Sequence, residues 1–78
     1  MGIQQHNKIE KVRLIHYILE QRRTLGWSGQ RWAIFCRKEG FKPFLSANHV
    51  LELRRLRVII DTEVIVFKAI AAEREKEN

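Results

Sequence analysis

This chain is short of the residues that break or staple a backbone, holding one proline (Pro43), one cysteine (Cys36) and four glycines. With so few interruptions, breaks between helices are expected only near Gly26 and around residues 40–46. A lone cysteine cannot close an internal disulfide, so a reducing, cytoplasmic setting is expected. Aspartate is scarcer than glutamate, with Asp61 the only one. No two carboxylates are spaced across a likely cleft for acid–base work. Cys36 falls on the inward face of a short helix, where cysteine serves as a small apolar filler rather than a nucleophile. His6, His16, His49 and Cys36 lack zinc-ligand spacing, and no glycine-rich loop is present to cradle phosphate. Neither an enzyme, a metal site nor a cofactor is therefore expected. The opening MGIQQHNKIE has no apolar run, and the most apolar stretch, Val58 to Ala72, contains Asp61, Glu63 and Lys68. Neither a signal peptide nor a membrane span fits.

What the chain does have is positive charge, unevenly placed. Residues 1–60 carry twelve basic and four acidic side chains, a balance of +8, whereas residues 61–78 carry three basic and five acidic, a balance of −2. A basic body with an acidic end attracts polyanions, although charge of this size also serves plain solubility. The chain of 78 residues makes a single domain. At that size one core supplies on the order of 3–5 kcal/mol, so help from a second subunit is reasonable.

Helical periodicity runs through the chain. Residues 1–6 show none and read as a frayed start. Asn7 followed by Glu10 resembles a capping box, and Ile9, Val12, Ile15 and Leu19 form a stripe widened by Leu14 and Ile18. This predicts a first helix from about Lys8 to Leu25, ended by Gly26. Ser28 is placed to cap a second helix, about Gly29 to Glu39, with Trp27 and Trp32 at hydrophobic-staple positions. Gly40 ends it, and Phe41 falls where a Schellman turn sends a side chain back onto the helix. Ser46, just after Pro43, is the expected cap of a third helix, with Leu45 and Val50 as its staple. Val50, Leu53, Leu56 and Ile60 lie along one side of it.

Beyond Ile60 the stripe continues through Val64, Phe67 and Ala71. One long helix or a break at Asp61–Thr62 both fit, while the β-branched runs Val58–Ile60 and Val64–Phe67 keep strands as an alternative. Ala, Glu, Lys and Arg from Lys68 to Glu77 favour helix, and residues 73–78 form a charged end. The expected fold is all-α: a compact three- to four-helix domain with a helix-turn-helix-like pair and a long C-terminal amphipathic helix. Apolar residues on more than one side of the last segment, namely Ile59, Val64, Ile65 and Phe67, suggest an oligomer interface.

On the helix-turn-helix reading, the third helix offers Asn48 and His49 to base edges. Arg55 then reaches a base or phosphate, and Lys42, Arg54 and Arg57 hold phosphates. The bland reading keeps the same residues as an exposed first turn and a solvated flank. Trp27, Trp32, Phe41 and Phe44, interleaved with Arg31, Lys38 and Lys42, could stack single-stranded bases, but their staple spacing favours core packing.

The order Arg13-Leu14-Ile15-His16, Leu25-Gly26, a short helix, Gly40-Phe41, then Leu45-Ser46 leading into Val50-Leu51 and Leu53 resembles the GemA proteins, small helical regulators of Mu-like phages. The resemblance covers about residues 11–56. It implies a phage or mobile-element accessory protein acting on DNA or host DNA machinery, with no catalytic residues to carry over. The expectation is thus a basic regulator that binds duplex DNA and forms a homodimer. Its rival is a module that docks an amphipathic helix on a host protein.

Overall fold

The computed structural model describes the backbone of residues 2–77 and the side chains of residues 7–76. Three α-helices, α1 (Gly2–Leu25), α2 (Gly29–Glu39) and α3 (Val50–Glu77), are joined by a tight turn and by a longer connection containing a 3-10 turn at Leu45–Ala47. Among the described residues there is no strand. The β-branched runs are helical because their inward positions pack on α1, a tertiary gain that outweighs a small local preference.

Helix α1 begins at Gly2, six residues ahead of the expected Lys8. Asn7 is therefore interior and caps nothing, and no proline interrupts Ile3 to His6. Its end is as expected, with Gly26 left-handed at φ 69° and its N–H donating to the Arg22 and Arg23 carbonyls. Ser28 caps α2 through its hydroxyl, which accepts from the Arg31 N–H at 3.2 Å. Gly40, at φ 88°, closes α2 in a full Schellman turn: its N–H meets the Arg37 carbonyl, and the Phe41 N–H meets that of Cys36 at 2.8 Å. Phe41 is buried, as that turn requires. The indoles do not form the expected staple with each other. Both lean on Phe35, Trp27 edge-on at 4.8 Å and Trp32 at 6.0 Å between ring centroids.

The third helix starts later than Ser46 allows. Residues 45–47 take a 3-10 turn, Asn48 is extended at ψ 152°, and the first α-helical bond runs from Leu53 N–H to the His49 carbonyl. Asn48 is the cause, because its side-chain amide ties the loop at Lys42 and Leu45. From Val50 the helix then runs unbroken through Asp61–Thr62. Asp61 does not cap, because its carboxylate accepts from the Tyr17 hydroxyl and Gln21 amide of α1, each at 2.7 Å.

Those bonds also fix direction. Glu10 meets Arg54, Tyr17 meets Arg57 and Asp61, and Gln21 meets Asp61, so positions rise together and α1 and α3 run parallel. Helix α2 and the long connection bring the chain back between them. The core is one cluster, Leu14, Ile18 and Leu25 of α1 against Leu53, Leu56, Ile60 and Val64 of α3, closed by Trp32 and Cys36 of α2 and by Phe41 and Leu45 of the connection. Each fully buried leucine or isoleucine contributes about 1.5–3 kcal/mol. Val64 is the last buried residue, and positions 65–76 are all exposed, so α3 extends beyond its support in a molecule 56 Å long and 23 Å wide.

Candidate nucleic-acid interface

Six residues were singled out for DNA, and the structure divides them. Asn48 is 1% exposed and does not face solvent. Its Oδ1 accepts from the Lys42 N–H at 3.0 Å, and its Nδ2 donates to the Lys42 and Leu45 carbonyls at 3.0 and 3.2 Å. A single amide thus holds both strands of the connection together, as asparagine does in turns. It cannot read a base, which corrects the expectation for it. A helix beginning at Ser46 would straighten this loop and leave those polar groups buried and unpaired, at a cost of about 1–3 kcal/mol each.

Arg54 is also committed elsewhere. Its Nε and Nη2 form a two-point pair with the Glu10 carboxylate at 2.5 and 2.6 Å, which lowers the Glu10 pKa and raises that of Arg54. The pair stays half exposed, so its value to stability is small. Arg57 lies on α3's α1 side with its guanidinium 4.6 Å above the Tyr17 ring. Tyr17 in turn has its pKa raised, first by the hydrogen bond it donates to Asp61. Both arginines therefore tie α3 to α1, away from the connection.

The other three converge. Lys42, His49 and Arg55 are exposed around the α2–α3 connection. Arg55 spans from α3 to place its guanidinium 5.8 Å over the Phe41 ring, and Lys42 reaches within 3.5 Å of the Ala47 carbonyl. The last turn of α2 adds two cations that spacing alone did not flag, Arg37 and Lys38, both exposed beside Gly40. Their signal was there in the Schellman turn, which folds Phe41 back onto the end of α2. Among the described residues, the ion pairs are Arg23–Glu20, Arg54–Glu10 and Lys76–Glu73. Arg37, Lys38, Lys42 and Arg55 take part in none of them.

The aromatic residues do not form a platform for bases. Trp32 is buried and donates its Nε1–H to the Pro43 carbonyl at 3.1 Å. Arg31 covers Trp27 at 4.9 Å and Arg22 lies 5.2 Å from the Trp32 ring. Phe44 is open, at 76% exposure, on the rim of a groove lined by Ile15, Leu19 and Trp32.

The four oligomer candidates also separate. Val64 is buried in the protein's own core and Ile59 packs partly against it, which corrects the first and limits the second. Ile65 is 67% exposed on the outer side. Phe67 is half exposed, beside Leu25, Trp27 and Ile70. Burial pushes the Cys36 thiol up to about 11 against a slight opposing pull from Arg22.

No helix among the described residues is long and apolar enough to cross a membrane. Compared with known proteins, the chain matches no family model, no curated protein and no solved structure.

Proposed function

We propose that this protein is a small DNA-binding regulator or accessory factor that grips duplex DNA by its phosphates at the α2–α3 connection. The observation that carries the reading is that Arg37 and Lys38 at the end of α2, Lys42 in the connection and Arg55 on α3 are all exposed and paired to no carboxylate. His49, exposed in the same connection, is the side chain assigned to a base edge. With Asn48 sequestered, sequence readout is slight, and the contact is mainly electrostatic. The α2–connection–α3 unit serves as a helix-turn-helix-like element with a longer, self-tied loop. The resemblance to the GemA proteins adds a phage or mobile-element setting to the same reading.

Titration against salt tests this. Four phosphate contacts give a slope of log K against log salt of about −3 to −4. Changing Lys38, Lys42 and Arg55 together to Ala should remove most of that slope, whereas Arg57→Ala should change it little. A flat response at low salt overturns the proposal.

A second reading is favoured by a separate observation, the exposed Ile65, Val66, Phe67 and Ile70 beyond the core. Here the protein docks the end of α3 on a host partner. Glutamate at Ile65 or Phe67 then abolishes function, while the three alanines leave it intact.

A further inference from the structure

Helix α3 has two apolar sides. Leu53, Leu56, Ile60 and Val64 face α1, and on the opposite side Leu51, Val58 and Ile65 recur at seven-residue steps with 63, 66 and 67% exposure. Thr62, Ala69 and Ala72 fill the same stripe, all small and all exposed. A seven-residue repeat with small residues between is the pattern along which two helices pack side by side. Arg55 falls within the stripe near one end, but its guanidinium is drawn over Phe41.

We infer that this stripe is an interface between two copies of the chain, with their α3 helices antiparallel. The charges beside the stripe choose both the occupant and its direction. On the flank nearer α1 the residues at seven-residue steps are Arg54, Asp61, Lys68 and Glu75, alternating in sign. In an antiparallel pair centred between Thr62 and Ile65, Arg54 of one copy faces Glu75 of the other, and Asp61 faces Lys68, in one common register. On the opposite flank Ile59 faces Val66. The basic first half of α3 thereby meets the acidic second half, which no parallel alignment achieves. Arg54 and Asp61 keep their α1 partners, so Glu75 and Lys68 of the second copy join those pairs from the solvent side, where Arg54 is half exposed and Asp61 partly so. One feature opposes the arrangement: Glu52 faces Glu73 at the rim. That like-charged contact sets a distinctive test, since such rim charges govern orientation more than affinity.

Sedimentation equilibrium and light scattering of the full chain across micromolar concentrations should show a dimer. Val58→Glu and Ile65→Glu should each weaken it at least tenfold while the helicity of the folded chain stays that of the parent, since both side chains are outside the core. Glu52→Lys should tighten it several-fold, because it converts the repulsive rim contact into an attractive one. For direction, a spin label on Leu51→Cys in a Cys36→Ala background should report about 38 Å between labels, the length of helix from Leu51 to Lys76. A folded monomer at every concentration overturns the inference. So does a dimer insensitive to both glutamates, or a label separation below about 20 Å. Should Cys36→Ala fail to fold, an unchanged or weakened dimer for Glu52→Lys overturns the antiparallel arrangement by itself. Neither outcome depends on DNA, so the salt titration stands or falls separately.

Discussion

The two connections of this protein are built from similar residues and behave differently. Leu25–Gly26–Trp27–Ser28 turns the chain within a few residues and starts α2 at once. Gly40 to Ser46 repeats the pattern of a glycine stop, an apolar residue and a serine, yet α3 starts only at Val50. The difference lies in what each serine competes with. Ser28 meets no rival for the end of its helix, whereas Ser46 stands two residues before an asparagine whose amide satisfies three backbone groups at once. A local cap yields to a side chain that closes a whole loop, and the cations of the connection take their places from that closure.

Removing the amide should break the comparison most severely. Asn48→Ala leaves the Lys42 N–H and two carbonyls without partners, and should cost about 2–4 kcal/mol in urea unfolding. It should weaken DNA binding only through that loss; a specificity change at unaltered stability would contradict the loop role.

Next in size is the effect of pH on Cys36, whose carbonyl ends α2 and whose thiol is sealed beneath the long connection. Folding holds this thiol in its neutral form, with a pKa of about 11 against an ordinary 9.0. The sign follows from the raised value: its stabilisation is complete below pH 9 and is lost as pH rises toward 11. Chemical unfolding across that window should show a loss on the order of 2 kcal/mol from Cys36, so the decline should be much shallower in Cys36→Ser, where only groups such as Tyr17 still titrate. At pH 8 the native thiol should react with a disulfide reagent only as fast as the protein opens.

The smallest effects should separate the serines. Ser28→Ala should cost about 1 kcal/mol, the usual value of an N-cap, while Ser46→Ala should stay within about 0.5 kcal/mol. Equal losses would mean that both serines cap.

Much of this architecture can be read from the chain before any coordinates. The stop at Gly26, the cap at Ser28, the Schellman turn at Gly40–Phe41 and the inward positions Leu53, Leu56 and Ile60 all follow from spacing. These are local features, set by residues within a few positions of one another. The misjudged features depend on contacts that exist only in the closed fold, near or far in sequence. Asn48 looked like an exposed first-turn residue because its partners, at Lys42 and Leu45, come within reach only once the loop is closed. Arg54 looked free because Glu10 is 44 positions away. Periodicity told which sides of α3 are apolar, but not which of them α1 would cover, so Val64 was grouped with Ile65 although the two point in different directions. Arg37 and Lys38 joined the candidate interface only when the α2 end was seen folded against Phe41.

The parallel alignment of α1 and α3 also sets an order of events during synthesis. Every side-chain tie between these helices spans 40 or 44 residues. At about 5–20 residues per second, Glu10 is made, and later emerges, roughly 2–9 s before Arg54 does. For that interval Leu14 and Ile18 have no α3 to cover them, and the nascent chain presents a sticky helix to whatever stands near the exit. A pause in elongation between Gly40 and Asn48 should lengthen that exposure, with no change to the finished fold.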